Sequence, residues 1–110
     1  MPELDNMARK FDKLVRDKIP EVIEDNGETP TVSLAGEDEY SERLVDKLEE
    51  EVAEYRESHE IEELADILEV IHAIRKDRGL TREELQDERA LKAEQRGRFD
   101  EGIVLERVDE

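Results

Sequence analysis

The sequence predicts an all-α fold organised around a helical hairpin. Apolar residues recur every three or four positions over 38–57 and again over 60–78, the spacing of amphipathic helices. The two periodic stretches are separated only by Ser58-His59, which leaves room for a tight turn. Residues 11–110 are therefore expected to form one small domain, preceded by a mobile segment 1–10 that has no periodicity.

A short helix is expected first, near residues 18–25. Asp17 is a suitable N-cap, Pro20 is tolerated in a first turn, and Asn26-Gly27 is a stop signal. After it, 31–35 is rich in β-branched residues and could form a short strand. The strand-like end of the chain, 103–108, could pair with it, which adds a short two-stranded β element to the helical fold.

Gly79 ends the second long helix, and Thr81-Arg82-Glu83-Glu84 is a capping box that opens a third, which runs to about Gln95. The second helix is apolar on nearly all sides, so it should be buried. A single chain of this size has few elements to cover it. We therefore expect a homo-oligomer, most simply a homodimer whose paired hairpins form a four-helix core, with higher assemblies also compatible.

Two acidic pairs flank the hairpin turn at matched distances. Glu54 and Glu63 lie 4.5 residues from its midpoint, and Glu51 and Asp66 lie 7.5 residues from it. At the rise of an α-helix these positions sit about 7 Å and about 11 Å along an antiparallel hairpin. All four carboxylates can therefore converge on one place.

The helical phase indicates which acids point inward. Glu51 falls within the apolar arc of the first long helix, Glu54 lies at its edge and Glu50 points away. In the second helix Glu63 lies among apolar positions. Converging carboxylates repel one another unless a proton or a metal ion binds, and a hard divalent cation such as Mg²⁺, or Mn²⁺ in its place, suits oxygen ligands.

The alternative is that these acids form solvated helix faces. The chain has 34 acidic residues, so chance alone supplies on the order of ten pairs with this spacing. Spacing and phase leave both interpretations open.

Two groups of basic residues stand out in so acidic a chain. One group lies just before the short helix and the other at the end of the third long helix. Both could contact phosphate, but they could equally pair with neighbouring acids or complement a helix dipole. The candidate residues are Lys13, Arg16, Lys18, Lys92 and Arg96.

The net charge of −17 disfavours binding to nucleic acid polymers and to anionic membranes. The chain has no cysteine, which excludes disulfides and thiolate chemistry. No apolar run is long enough to span a bilayer, and the N-terminus lacks a signal pattern, so a soluble cytoplasmic protein is expected. The acidity is spread along the chain, which we interpret as a halophilic adaptation.

The hairpin resembles the all-α nucleoside triphosphate pyrophosphohydrolase superfamily, which includes MazG-like and phosphoribosyl-ATP pyrophosphohydrolase-like enzymes. The superfamily signature, Glu-x-x-Glu followed by Glu-x-x-Asp, corresponds here to Glu51/Glu54 and Glu63/Asp66. The stretch 13–20, Lys-Leu-Val-Arg-Asp-Lys-Ile-Pro, and the end of the chain from Lys92 onward are similar to the compact MazG-like subgroup. Eight residues separate Glu54 from Glu63, fewer than is usual in the superfamily, which implies a minimal turn.

The resemblance implies Mg²⁺-dependent hydrolysis of a nucleotide between the α- and β-phosphates, which yields a monophosphate and pyrophosphate. It implies metal binding by Glu51, Glu54, Glu63 and Asp66, catalytic roles for Glu50 and Glu51, and phosphate contacts from the basic residues named above. Housecleaning of non-standard nucleotides and the phosphoribosyl-ATP reaction of histidine biosynthesis both stay open. A different class also stays open, namely a non-catalytic acidic helical interaction module.

Overall fold

The structure, a computed structural model, describes residues 8–110, which form four helices and no strand. The all-α prediction is confirmed. The chain divides into two compact units, one that extends to Ile74 and a second, Arg75–Glu110. The expected mobile segment 1–10 falls largely on residues 1–7, outside the described residues. No helix within 8–110 is long and apolar enough to cross a bilayer.

Helix α1, Ile19–Asp25, has the predicted position, but its start differs from the prediction. The N-cap is Lys18 instead of Asp17, and no side chain caps the helix. Pro20 in the first turn suits this start, because proline has no N–H to satisfy. The helix ends at Asn26, and Gly27 adopts the left-handed backbone conformation at φ +84°.

Helices α2, Glu37–Ser58, and α3, Ile61–Asp77, form the two arms of the predicted hairpin. His59 makes the reversal in the left-handed conformation, at φ +56°. Its ring lies 5.5 Å from that of Tyr55, and the Ser58 hydroxyl accepts a hydrogen bond from the Glu60 backbone N–H. The minimal turn that the sequence predicts is therefore formed.

Only two apolar side chains of the described residues, Leu44 on α2 and Val70 on α3, are buried. The expectation that α3 is buried is not met within one chain, because Ile61 is 81% exposed and Leu68 is 53% exposed. Val52, expected on the inner face of α2, is about half exposed. A single hairpin has one inner face, so side chains at 90° or more from it remain in solvent.

In the second unit, the end of α3 forms a Schellman motif, in which Gly79 N–H and Leu80 N–H donate to the carbonyls of Lys76 and Arg75. Gly79 has φ +73°, which favours glycine. Helix α4, Arg82–Arg96, begins with the predicted capping box, in which Thr81 and Glu84 each bind the other's backbone N–H.

The two-stranded β element is not formed by the described residues. Neither 31–35 nor 103–108 adopts strand structure. Leu34 and Ile103 are almost fully exposed, so neither stretch has a buried face. A β-rich composition stabilises a strand only where pairing and burial accompany it, and these residues have neither.

Candidate metal centre

Three acidic side chains of the hairpin converge in the first unit. Glu51 of α2 and Glu63 and Asp66 of α3 each place a carboxylate oxygen within 4.8 Å of the other two. Glu63 and Asp66 share a face of α3 because they are three residues apart. The turn at His59 brings that face against Glu51 at the matched height that the sequence predicts.

Glu51 is the most unusual member of this carboxylate triad. Its residue exposure is only 6%, although it is acidic. Oε1 lies 3.2 Å from the Lys47 Nζ, whereas Oε2 is buried and has no hydrogen-bond partner. A buried acceptor without a partner is costly, and more so when it is charged.

The surroundings of Glu51 raise its pKa above the ordinary value. Burial, which disfavours the charged carboxylate, is the main cause. Lys47 opposes this effect, while the neighbouring carboxylate of Glu54 adds to it. Unless a cation besides Lys47 binds, the charged form of the Glu51 carboxylate is therefore unfavourable.

The triad fits a hard divalent cation. Its ligands are all carboxylate oxygens, which suit Mg²⁺ or Mn²⁺. The buried Oε2 of Glu51 has no hydrogen-bond partner, and a bound cation would satisfy it. A cluster of exposed acids has no such unsatisfied oxygen. The chemistry of the donor set does not distinguish between the two metals.

Glu54, the fourth predicted metal ligand, does not belong to the triad. Its carboxylate interacts with that of Glu51, and it lines an open groove of about 440 Å³ together with Glu50 and Glu63. Glu57 and Ser58 extend the groove toward the hairpin turn. Glu54 therefore lies beside the centre instead of within it.

Glu50, which the helical phase directs away from the apolar arc of α2, is nevertheless not a free surface acid. Its side chain is 27% exposed and lies between two ammonium groups, Lys13 at 2.5 Å and Lys47 at 3.3 Å. Burial pushes the pKa of Glu50 upward, but the hydrogen bonds and charges of these lysines outweigh it and place the pKa below its ordinary value. The N-terminal segment covers this face of α2, which the helical phase alone does not reveal.

The segment before α1 supplies a second cation to the centre. Arg16 donates to Oδ1 of Asp66 at 2.6 Å, so it binds one member of the triad. The segment is also attached to α2, since Arg43 donates to the backbone carbonyl of Asp12 at 2.7 Å and to its carboxylate at 3.0 Å. Lys13 and Arg16 thus bind acids on α2 and on α3.

The other predicted phosphate contacts are not brought to the centre by any described contact. Lys18 is exposed at the start of α1 and has no ion-pair partner among residues 8–110. Lys92 and Arg96 are exposed on α4, in the second unit. Their roles stay predictions.

Sequence reasoning overlooked Lys47, which contacts both Glu50 and Glu51. A signal for it was present, because these acids lie three and four residues after Lys47 on the same helix. Arg43 was also overlooked. Its link to Asp12 spans 31 positions, which no local pattern predicts.

A protein of Mycolicibacterium smegmatis, described as an uncharacterized protein, is 52% identical to this chain over 44 residues. The matched stretch is 40% of this chain and 45% of that protein, so it spans less than half the length of the relative. No family model matches the chain. No solved structure matches it.

Proposed function

We propose that this protein is a metal-dependent nucleotide pyrophosphohydrolase that cleaves between the α- and β-phosphates. The observation that carries the proposal is the buried Glu51, which has an oxygen without a hydrogen-bond partner and whose carboxylate lies with those of Glu63 and Asp66 at the hairpin. The resemblance of the hairpin and of the stretch 13–20 to MazG-like enzymes supplies the reaction. Housecleaning of non-standard nucleotides is the role we favour, in the cytoplasm and at high salt.

Glu51, Glu63 and Asp66 would hold Mg²⁺, with Glu54 as a further ligand. When bound, the metal would supply charge neutralisation and orientation for the phosphates. Glu50 would orient the attacking water as a hydrogen-bond acceptor, since its lowered pKa keeps it ionised. Lys13, Arg16 and Lys18 would bind the phosphate oxygens, and Lys92 and Arg96 stay candidates for the same role.

The groove beside the triad is bordered by carboxylates. It is lined mainly by acidic side chains, including Glu54 and Glu57, so a free triphosphate would be repelled there. A ligand whose phosphates are already neutralised by Mg²⁺ would avoid this repulsion. The acidity of the groove therefore supports a metal-bound nucleotide as the substrate.

The test is a panel of triphosphates, with modified nucleotides and phosphoribosyl-ATP, incubated with the protein, Mg²⁺ and high salt. We expect pyrophosphate and a monophosphate. Glu63→Gln should abolish activity, whereas Glu62→Gln, an exposed neighbour on the same helix, should preserve it. Orthophosphate without pyrophosphate would contradict the assigned cleavage position, and no product with any substrate would contradict the enzyme proposal.

We also propose that the protein is a homo-oligomer, most simply a dimer that pairs two hairpins. The supporting observation is a set of exposed apolar side chains at helical spacing on both arms of the hairpin. A second copy of the hairpin would bury them in a four-helix core. The exposed residues are Val45, Val52, Ile61, Leu64 and Leu68.

The same exposed residues favour a second candidate function, a non-catalytic helical interaction module. An apolar surface on an acidic domain suits a protein partner as well as a second copy. In that case Mg²⁺ should change neither the melting temperature nor the affinity for nucleotides. Calorimetric detection of Mg²⁺-coupled nucleotide binding would exclude this candidate.

A further inference from the structure

Three acids at the centre are already paired with cations of the chain itself. Lys47 lies 3.2 Å from Oε1 of Glu51, and Lys13 lies 2.5 Å from Glu50. Arg16 lies 2.6 Å from Oδ1 of Asp66. Without a metal, these contacts offset part of the repulsion among the carboxylates. A divalent cation at the triad would place a further positive charge beside these cations and compete with them for the same carboxylates.

Lys47 is the least able of these cations to leave. It lies within α2, its side chain is only 15% exposed, and it contacts Glu50 as well as Glu51. Burial tends to lower the pKa of Lys47, but hydrogen bonds to the two acids raise it above its ordinary value. Its contact with Oε1 also leaves Oε2 of Glu51 as the oxygen available to a ligand.

Arg16 differs from Lys47 in each of these respects. Its side chain is 56% exposed, it lies in a stretch without helical structure, and its described ion pair is the one with Asp66. Moving its guanidinium into solvent therefore breaks one contact near the surface. An exposed ion pair of this kind is weak, typically within about 1 kcal/mol.

Asp66 is the point of conflict because it belongs to the triad and also binds Arg16. A divalent cation held by Glu51, Glu63 and Asp66 would repel a guanidinium on the same carboxylate. A phosphate that binds at this cation would attract that guanidinium instead. Arginine suits this exchange because its planar fork binds carboxylates and phosphates in the same bidentate manner.

We propose that Arg16 is an exchangeable residue that transfers from Asp66 to the phosphate of an incoming ligand once a divalent cation occupies the triad. The metal and the phosphate anion then bind in order, because Arg16 becomes available only after the metal is present. This inference rests on the metal centre of the proposed function. It adds that Arg16 opposes metal binding when no phosphate is present.

The test compares Arg16→Gln with Lys18→Gln. Each variant loses one positive charge from the same segment, but Lys18 has no ion-pair partner among the described residues. Calorimetry without nucleotide should show that Arg16→Gln binds Mg²⁺ about fivefold or more tightly than wild type, while Lys18→Gln differs by less than about twofold. Arg16→Lys, which keeps the charge, should stay close to wild type.

The second measurement uses inorganic phosphate as the probe, with and without saturating Mg²⁺. Wild type should bind phosphate only when Mg²⁺ is present, and Arg16→Gln should bind it about tenfold more weakly. Opposite effects of one substitution on metal and on phosphate would identify the transfer, because a purely structural residue would not produce them. Circular dichroism should confirm that all variants keep the helix content of wild type.

Two results would overturn the inference while leaving the metal centre intact. In the first, Arg16→Gln binds Mg²⁺ with the same affinity as Lys18→Gln. In the second, it binds Mg²⁺ more weakly than wild type, which would show that Arg16 supports the metal-bound form of Asp66. If wild type binds no Mg²⁺ at all, the proposed function fails first and this inference fails with it.

Discussion

Replacing Glu51 with glutamine removes the buried negative charge of the triad but keeps nearly the same side-chain shape. The glutamine oxygen can accept from Lys47, as Oε1 of Glu51 does now. The amide nitrogen then takes the place of the unpartnered Oε2 and adds a donor beside Glu63 and Asp66, each of which has an oxygen within 4.8 Å of a Glu51 carboxylate oxygen. The substitution thus replaces an unsatisfied acceptor with a donor in a cluster of carboxylate acceptors.

The magnitude follows from two opposing contributions. A buried acceptor without a partner costs about 1–3 kcal/mol. The largely buried Lys47 contact changes from an ion pair to a hydrogen bond with a neutral amide, so the variant loses about 1 kcal/mol there. We therefore expect Glu51→Gln to be more stable than wild type by about 1 kcal/mol without metal, a rise of roughly 4–8 °C in melting temperature for a chain of this size.

The pH dependence has a definite sign. The pKa of Glu51 is raised in the folded protein, so the folded state binds its proton more tightly than the unfolded state. Its contribution to stability is complete below the ordinary pKa of 4.5 and is lost as the pH rises through the folded-state pKa. The advantage of Glu51→Gln over wild type should therefore be larger at pH 7 than at pH 4.

The assay is thermal unfolding of wild type, Glu51→Gln and the control Glu49→Gln, with and without Mg²⁺. Glu49 is an exposed acid on the same helix, so its replacement should change stability by less than about 0.5 kcal/mol. Mg²⁺ at 100 times its Kd should stabilise wild type and the control by about 2.7 kcal/mol. Glu51→Gln should lose most of this gain. A variant that is less stable than wild type without metal, or that keeps the full response to Mg²⁺, would refute the reasoning.

Three further predictions concern other parts of the chain. Lys13 and Lys47 lower the pKa of Glu50 against the effect of burial, so its contribution to stability is present above pH 4.5 and is lost as the pH falls. In Glu50→Gln, the free energy of unfolding measured with urea should therefore fall less than in wild type between about pH 5 and 3. Thr81→Ala should lower the free energy of unfolding by about 1 kcal/mol through loss of the capping box, whereas Thr81→Ser should preserve it. Leu68→Glu should convert the proposed dimer to a monomer, as measured by light scattering. A wild-type protein that is monomeric at micromolar concentration in molar salt would contradict the oligomer proposal.

The helices were predictable because their signals are local. The capping box at Thr81 and the glycine at Gly79 act within a single turn of backbone. The convergence of Glu51 with Glu63 and Asp66 was also predictable, since a tight turn between two regular helices determines which levels face each other. The N-cap at Asp17 failed as a prediction because a suitable side chain does not by itself make a cap where the backbone enters the helix one residue later.

The sequence by itself therefore determined the all-α class, the hairpin and the four carboxylates from which the triad is drawn, because helical periodicity and a short turn leave little geometric freedom. Only the tertiary structure decided that Arg16 binds Asp66, fifty positions away, and that Lys13 covers Glu50. It also decided that Glu54 lies outside the triad and that much of α3 remains exposed. The contacts of Arg16 and Lys13 depend on how a segment without helical structure packs against the hairpin, which is set by the sum of weak ion pairs and packing contacts instead of by any repeating pattern.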